Sequence, residues 1–254
     1  MNPVPDPVQP RSPVSTGARI AAFTLFGILA LGCLQPGRTV AAEMAVKVPS
    51  LAGEAVTDPK AAQETAVFAG GCFWGVQGVF QHTKGVLQAV SGYAGGSKTT
   101  AVYELVGSGM TGHAEAVQIT FDPKQISYAQ LLQIYFSVVH DPTQLNRQGP
   151  DRGTQYRSAV FTTDPNQKQA TERYIAQLDA AKVFPAKIVT QVAPLTAFYT
   201  AEAHHQDYAT LHPDSGYIAA FDLPKIANLQ SMFASWYRAE PVLVTARTGI
   251  AKGN

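Results

Sequence analysis

The sequence predicts an α/β (α+β) fold, a two-layer sandwich in which helices pack on a mixed β-sheet. Short β-branched segments alternate irregularly with amphipathic stretches, and the connections between them are too short and varied for a barrel. The chain has 254 residues, 46% of them hydrophobic, and carries a formal charge of only +1. We therefore expect one globular domain with a substantial core, a monomer with no affinity for nucleic acid.

The first 42 residues have the pattern of an export signal. Arg11 and Arg19 precede an apolar run at residues 20–34, and the small residues Val40-Ala41-Ala42 follow it. The run is too short for a comfortable transmembrane helix, and the small residues are typical of a cleavage site. We therefore predict a signal peptide over residues 1–42 and a protein that is exported to the periplasm.

Cys33 leaves a second interpretation of this segment open. It follows Ala30-Leu31-Gly32, where a bacterial lipoprotein would carry its lipidated cysteine, so a lipoprotein anchored through Cys33 is the minority alternative. If cleavage follows Ala42 instead, Cys72 is the one cysteine of the mature chain, which excludes a disulfide framework.

Composition divides the rest of the chain into three parts. Residues 43–63 are rich in Ala, Val, Pro and charge without clear periodicity, which predicts a flexible tether. Residues 64–245 carry the strand and helix patterns of the globular domain, and residues 246–254 are predicted to form a flexible tail.

Alternating apolar residues predict strands, and apolar residues at helical spacing predict helices. Two helix starts are marked by capping residues, because Ser127 with Gln130 forms a capping box and Asp164-Pro165 combines a cap with a first-turn proline. The predicted strands are residues 65–69, 86–93, 115–121, 158–161 and 188–192. The predicted helices follow the turn at 70–75 and span residues 99–106, 128–139, 165–182, 201–211 and 222–236, with a polar loop at 140–154.

The turn Gly70-Gly71-Cys72-Phe73-Trp74-Gly75 joins the first strand to the first helix. Glycines allow a sharp turn and a close approach of the backbone to a ligand. Cys72 is expected in the first helical turn, where unpaired N–H groups and the helix dipole favour a thiolate. Phe73 and Trp74 stand beside it. A buried cysteine under aromatic packing is the alternative, since free cysteines are often buried.

Glu115 is the second informative residue of the sequence. Strand alternation places it on the same face as Val117, Ile119 and Phe121, which is the apolar face. A carboxyl group there would have a raised pKa and could donate a proton near neutral pH. The alternative that Glu115 lies just outside the strand and points to water stays equally open.

A thiolate, an aromatic cage and a neutral acid suit attack on a small neutral centre whose leaving oxygen must be protonated. Five motifs in the chain resemble those of the type A peptide methionine sulfoxide reductases, in the same order, over about residues 66–237. They are Gly71-Cys72-Phe73-Trp74-Gly75, Gly92-Tyr93-Ala94-Gly95-Gly96, Gly112-His113-Ala114-Glu115-Ala116-Val117, His140-Asp141-Pro142-Thr143-Gln144 and Asp151-Arg152-Gly153-Thr154-Gln155-Tyr156-Arg157-Ser158.

The resemblance implies a ferredoxin-like core elaborated by extra helices and loops, and a catalytic domain at residues 64–245. It implies the activity of a peptide-methionine (S)-S-oxide reductase, which reduces methionine S-sulfoxide, free and in proteins, to methionine. Cys72 resembles the nucleophile that attacks the sulfoxide sulfur, and Glu115 the acid that protonates its oxygen. Tyr103 and Tyr156 match the tyrosines that hydrogen-bond that oxygen. No bound cofactor and no metal is implied.

Four further residues match the substrate site of the family. Phe73 and Trp74 match the walls that hold the methyl group, and Asp151 matches an acidic residue at the edge of the site. His205 lies in a family-like segment, with a less certain role. Each tyrosine of the site, taken alone, is more often a packing residue.

The chain departs from the family pattern in two places. Thr100-Ala101 replaces the usual Asn-Pro before Tyr103, and no resolving cysteine follows Cys72. The second departure predicts a single-cysteine mechanism, in which a sulfenic acid on Cys72 is reduced by an external thiol, either a small thiol or a thioredoxin-like protein. With the export signal, this predicts repair of oxidised proteins in the cell envelope.

Three other functions were weighed against this one. A Cys–His hydrolase would need a histidine directed at Cys72 and leaves Glu115 and the aromatic pair without a role. A module that binds oxidised or methylated peptides would use the aromatic cage, but a thiolate argues against it. A zinc site is the weakest alternative, because no H-E-x-x-H motif or paired cysteine spacing occurs.

Overall fold

The computed structural model describes residues 45–53 and 61–245, all of which belong to one compact unit of the chain. The predicted signal peptide and the predicted tail at 246–254 lie outside the described residues. None of the helices within the described ranges is long and apolar enough to cross a membrane.

Eight strands form one sheet of six strands and one of two. In chain order they are β1 (Glu64–Gly70), β2 (Val86–Ala94), β3 (Ala114–Phe121), β4 (Arg147–Gln148), β5 (Asp151–Arg152), β6 (Ser158–Thr162), β7 (Gln191–Pro194) and β8 (Phe198–Thr200). The large sheet has the order β7-β6-β1-β3-β2-β8, and β4 pairs with β5 in the small one.

Within the described ranges, six α-helices and several short turns of other helix types complete the fold. The helices are α1 (Phe73–Gln81), α2 (Tyr103–Val106), α3 (Tyr128–Ile134), α4 (Pro165–Ala180), α5 (Tyr208–Leu211) and α6 (Leu223–Met232). Five-residue π-helical turns continue α3 at Tyr135–Val139 and precede α6 at Ile218–Asp222. Turns of 3₁₀ helix lie at Lys98–Thr100, Thr154–Tyr156 and Ala203–His205.

The centre of the large sheet is a ferredoxin-like arrangement, as expected. The units β1-α1-β2 and β3-α3-β6 interlock so that the four strands lie in the order β6-β1-β3-β2, each antiparallel to its neighbours. The outer pair β6 and β7 is parallel, which makes the sheet mixed. The predicted two-layer α/β class is therefore confirmed.

Strand alternation divides the core between the two faces of the sheet. In β1, Ala66 and Phe68 pack in the large cluster that includes the helices, whereas Val67 and Ala69 belong to a smaller cluster on the other side. The smaller cluster is built largely of alanine, with Phe161 at its edge. The helices therefore form one layer and the sheet the other.

Local signals located most elements correctly. The capping box is present, since the Ser127 hydroxyl accepts from the Gln130 N–H and the Gln130 side chain accepts from the Ser127 N–H. Asp164 caps α4 by accepting the N–H groups of Asn166 and Gln167. These caps depend on neighbours in the chain, which is why the sequence predicts them.

Two predicted elements differ from the observed ones in their limits. In the first, backbone N–H groups form hydrogen bonds with residues that are distant in sequence. The strand predicted at 188–192 begins at Gln191, since the Ile188 N–H donates to Asp179 and the Val189 N–H to Pro142. The helix predicted at 201–211 breaks into a 3₁₀ turn and the short α5. Between them, Asp207 adopts a left-handed backbone with φ of 59°.

Two further predictions are corrected at their limits. The loop predicted at 140–154 contains the small hairpin of β4 and β5. The last helix ends at Met232 rather than near residue 236, and Phe233 and Trp236 beyond it stack on each other with ring centroids 5.1 Å apart.

The segment 45–53, part of the predicted tether, packs on the domain rather than lying free. Val48 is buried, its carbonyl accepts from the Gln133 side chain, and its N–H donates to the Ser137 hydroxyl. The Val46 N–H donates to the Ser137 carbonyl. A buried valine with paired backbone groups stabilises the π-helical turn at Tyr135–Val139 beneath it.

We expect Val48→Ala to lower the free energy of unfolding by about 1–2 kcal/mol, because two methyl groups leave a packed site. Urea denaturation of the two proteins measures the difference. The matched control is Ser50→Ala at an exposed position of the same segment, which should change stability by less than about 0.5 kcal/mol. Equal stability of the Val48→Ala variant and the unaltered protein would show that the segment contributes nothing.

Candidate active site

The turn between β1 and α1 places Cys72 at the helix N-cap, one residue before the first helical turn. Gly71 has φ of +90°, and a Cβ atom there would lie 2.7 Å from the side chain of Gln148. A residue with a side chain is therefore excluded at this position on both counts. The turn is pressed against β4, and only 8% of Cys72 is exposed.

Glu115 is buried, as the alternation of β3 allowed. It lies opposite Tyr93 in the sheet, only 3% of it is exposed, and its Oε2 accepts the N–H of Phe73 at 3.0 Å. This hydrogen bond brings the carboxyl group to the residue next to Cys72. Burial raises the pKa of Glu115 to about 8, even though the Phe73 N–H lowers it. The interpretation that Glu115 points to water is wrong.

The pKa of Cys72 differs from the prediction that the helix start favours a thiolate. Burial raises the pKa of the Cys72 thiol well above its usual range, and the carboxylates of Glu115 and Asp222 raise it further. The Trp74 N–H at the helix start does lower it, as does Lys225, but both effects are smaller. The helix N-terminus alone does not make Cys72 a thiolate. Protonation of Glu115 removes one of the effects that oppose a thiolate, since the repulsion between the two charges then disappears.

Tyr103 and Tyr156 approach the same centre from different elements. Both are partly exposed, and the pKa of each hydroxyl is raised by burial and then by the carboxylate of Glu115. Cys72 raises both as well. The two hydroxyl groups therefore remain protonated and can donate hydrogen bonds beside Glu115 and Cys72.

Trp74 forms an aromatic wall, whereas Phe73 lies in the core. Trp74 is partly exposed and stacks on Tyr208, with ring centroids 3.9 Å apart, and meets the edge of Tyr217 at 6.1 Å. Only 1% of Phe73 is exposed, and its ring packs against Tyr93 at 5.9 Å. Phe73 therefore packs in the core behind the site, and Trp74 is the side chain of the pair that is partly exposed to solvent.

His205 is also buried among the aromatic side chains. Its ring lies 4.3 Å from that of Tyr103 and 5.3 Å from that of Phe73. Burial lowers its pKa, and His204 lowers it further, so the imidazole is neutral at ordinary pH. Both ring nitrogens are buried without a hydrogen-bond partner among the described residues.

Asp151 lies on β5 at the edge of the site. Burial raises the pKa of its carboxyl group, which accepts a short hydrogen bond from the Tyr217 hydroxyl. A cleft lies next to Asp151, and Cys72 is among the residues that line it. Its lining residues are Cys72, Gln148, Gly149, Pro150, Asp151, Tyr217, Phe221 and Lys225.

Glu202 is a further residue of the site, and no local sequence pattern predicts its role. Its Oε1 accepts the N–H of Tyr103 at 3.0 Å, and its Oε2 accepts the hydroxyl of Tyr93 at 2.8 Å. Burial alone would raise the pKa of Glu202, but hydrogen bonds from backbone N–H groups and from Tyr93 lower it overall. Glu202 therefore anchors the start of α2, so Tyr103 reaches the site although Thr100-Ala101 replaces the usual Asn-Pro.

Two buried histidines that a Cys–His hydrolase could use, His113 and His140, form hydrogen bonds with groups other than Cys72. His113 hydrogen-bonds with the Ser97 carbonyl at 2.9 Å, and His140 with the Ser158 hydroxyl at 2.7 Å. Burial lowers the pKa of His140 to about 3, which keeps it neutral. Within the described ranges, no group of three or more histidine, cysteine and acidic residues could hold a metal ion.

Comparison with known proteins supports the same interpretation as the geometry. A family model described as "Peptide methionine sulfoxide reductase" matches residues 64–236. "Peptide methionine sulfoxide reductase MsrA 2" of Mesorhizobium japonicum is 61% identical over 189 residues, which cover 74% of this chain and 97% of that protein. "Peptide methionine sulfoxide reductase MsrA" of Deinococcus radiodurans is 49% identical over 182 residues, 72% of this chain and 88% of that protein.

Solved structures agree with the sequence relatives. Methionine sulfoxide reductase A of Corynebacterium diphtheriae aligns with a TM-score of 0.53 at 34% identity, over 68% of this chain and 86% of that one. Mxr1 from Saccharomyces cerevisiae in reduced form aligns with a TM-score of 0.56 at 32% identity, over 62% of this chain and 90% of that one. With a buried acid beside a cysteine at a helix start, this chain belongs to the type A peptide methionine sulfoxide reductase family.

Proposed function

We propose that this protein reduces methionine S-sulfoxide, free and in peptides and proteins, to methionine through attack of Cys72 on the sulfoxide sulfur. The observation that carries the proposal is the hydrogen bond between the buried carboxyl group of Glu115 and the Phe73 N–H. It places a proton donor with a pKa of about 8 beside the only nucleophilic sulfur of the described residues. Family membership supports the same reaction and its S epimer.

Glu115 supplies the proton that the leaving oxygen needs. The thiolate of Cys72 forms a bond to the sulfoxide sulfur while the oxygen takes a proton from Glu115. Transfer of that oxygen to Cys72 releases methionine and leaves Cys72 as a sulfenic acid, so the sulfoxide is reduced by two electrons and the cysteine is oxidised by two. A neutral Glu115 also removes the negative charge that opposes thiolate formation.

The aromatic and hydroxyl groups orient the substrate. Trp74 presents an apolar ring to the methyl group, with Phe73 and His205 packed behind it. Tyr103 and Tyr156 donate hydrogen bonds toward the oxygen, where charge develops during transfer. Asp151 lies at the edge, where the backbone of a peptide substrate would pass.

Cys72 is regenerated by an external thiol in this proposal, because no cysteine follows it in the sequence. A first thiol displaces water from the sulfenic acid to form a mixed disulfide, and a second thiol releases Cys72 and leaves as a disulfide with the first. A small thiol and a thioredoxin-like protein both satisfy this chemistry. The catalytic domain needs no bound cofactor for either step, and we expect it to act as a monomer.

The compartment of the reaction follows from the N-terminal pattern of the sequence. We place the enzyme in the periplasm, with lipid anchoring through Cys33 as the alternative, and its role in the repair of oxidised envelope proteins. A mature chain with Cys72 alone has no partner for an internal disulfide, which suits an oxidising compartment.

We expect the protein to consume only the S epimer of a methionine sulfoxide peptide in the presence of excess thiol, and Cys72→Ser to abolish turnover. An alcohol is a far weaker nucleophile than a thiolate and forms no sulfenic acid. Chiral chromatography of the remaining substrate measures the epimer, and mass spectrometry after one equivalent of sulfoxide should find a trappable sulfenic acid on Cys72. Consumption of the R epimer alone would contradict the assignment, and a Cys33–Cys72 disulfide would contradict the single-cysteine cycle.

The pH profile of kcat/KM should fall as pH rises through about 8, because Glu115 then loses the proton that it donates. In Glu115→Gln this falling limb should disappear, with activity lowered by roughly a hundred- to ten-thousandfold, the usual range for general acid catalysis. The matched control is Glu172→Gln at an exposed carboxyl of α4, which should leave the profile unchanged. A Glu115→Gln profile with an intact limb near pH 8 would assign that limb to another group.

Export predicts a mature protein that starts after Ala42 and is released with the periplasmic fraction. N-terminal sequencing of the protein purified from that fraction measures the cleavage site. A lipid-modified N-terminal Cys33 in the membrane fraction would replace this proposal with the anchored alternative. An unprocessed chain in the cytoplasmic fraction would exclude both.

A further inference from the structure

A buried ion pair lies against the start of α1, close to Cys72. Lys225 Nζ and Asp222 Oδ1 are 3.4 Å apart, with the Asp222 side chain fully buried and that of Lys225 only 12% exposed. A Cβ atom at Gly75 would lie 2.1 Å from Asp222 Oδ1 and 3.1 Å from Lys225 Nζ. The glycine thus admits the ion pair to the first turn of the helix that Cys72 caps.

Stability does not account for this pair. Removing two charges from water costs free energy that their attraction only partly recovers, so a buried ion pair is weak evidence of stabilisation. Asp222 leaves its Oδ2 buried without a hydrogen-bond partner among the described residues. Local rules broken together in this way are typical of functional sites.

Lys225 and Cys72 line the same cleft. Several elements packed around Cys72 present acidic or neutral polar groups. These are Glu115 from β3, Tyr103 from α2, Tyr156 from the 3₁₀ turn, Tyr217 and Asp222 from the segment before α6, and Asp151 from β5, which lines the same cleft. Among the charged groups that act on Cys72 in the described part of the chain, Lys225 supplies the positive charge.

We propose that Lys225 is a positioning residue for the reduction, a cation held by Asp222 at the cleft so that Cys72 attacks as a thiolate. The inference rests on the proposed role of Cys72 as the nucleophile. Asp222 holds the Lys225 ammonium at the cleft through the 3.4 Å ion pair, in a setting where both side chains are largely shielded from water. Lys225 lowers the pKa of Cys72, while burial and the two carboxylates of Glu115 and Asp222 raise it.

The test measures the thiol itself and needs no reductase activity. Alkylation of Cys72 by iodoacetamide is followed from pH 5 to 10 by mass spectrometry of the peptide that contains it, in the full chain. Lys225→Met should raise the apparent pKa of Cys72 by about one unit or more, and slow alkylation at neutral pH about tenfold. Lys225→Arg should restore most of the rate, since it keeps the charge. The matched control Lys124→Met removes an exposed lysine and should change neither.

Asp222→Asn gives the opposite sign and separates electrostatics from folding. It removes the Asp222 carboxylate, which raises the pKa of Cys72, so the apparent pKa of Cys72 should fall. Thermal denaturation reports the stability of each variant independently. Shifts of the same sign in Lys225→Met and Asp222→Asn would overturn the proposal, and so would the absence of a shift in Lys225→Met. If Lys225→Met fails to fold, Lys225→Gln takes its place, and the absence of a shift there would overturn the proposal as well. Failure of sulfoxide turnover with these alkylation shifts intact would overturn the proposed function alone.

Discussion

The site depends on one hydrogen bond, the one that the Phe73 N–H donates to the buried carboxyl group of Glu115. It joins the centre of the sheet to the start of α1, so β3 and the Cys72 turn cannot move apart without leaving a buried acid unpaired. The same burial raises the pKa of Glu115 to about 8. One contact therefore holds the proposed acid beside the residue next to the nucleophile, and the burial of the acid favours its protonated form.

The negative charges around the sulfur of Cys72 oppose formation of the thiolate that the proposed reaction needs. Glu115 and Asp222 are buried acids with raised pKa values, and each disfavours a thiolate on Cys72 when it is ionised. Protonation of Glu115 removes one of these charges, and the thiolate and the protonated acid are the two forms that the proposed chemistry needs. Lys225 also favours the thiolate, because it lowers the pKa of Cys72. A site of this kind is active over a window of pH, bounded by one proton gained and one lost.

Local patterns predicted what depends on neighbours in the chain. The alternation of β3 located Glu115 on the core face, and the glycine turn located Cys72 at a helix start, since both signals are complete within a few residues. The thiolate expectation failed for the opposite reason. It used the helix terminus alone, whereas burial and carboxylates from positions 115 and 222 decide the pKa of Cys72. Glu202 carries no local signal either, because its partners Tyr93 and Tyr103 lie about a hundred residues away in sequence.

The segment from Ala201 to Lys225 shows why fold and chemistry cannot be separated here. Its backbone continues the pairing of β8, since the Ala201 N–H donates to Ser91, and the Gln206 side chain then bonds the same Ser91 backbone, which prevents the predicted helix. The segment reaches the site at Tyr217 and Asp222. This segment contains no cysteine, so the proposed cycle forms no disulfide there and does not require any of these contacts to break. In the proposed cycle an external thiol instead approaches the cleft that Cys72, Tyr217 and Lys225 help to line.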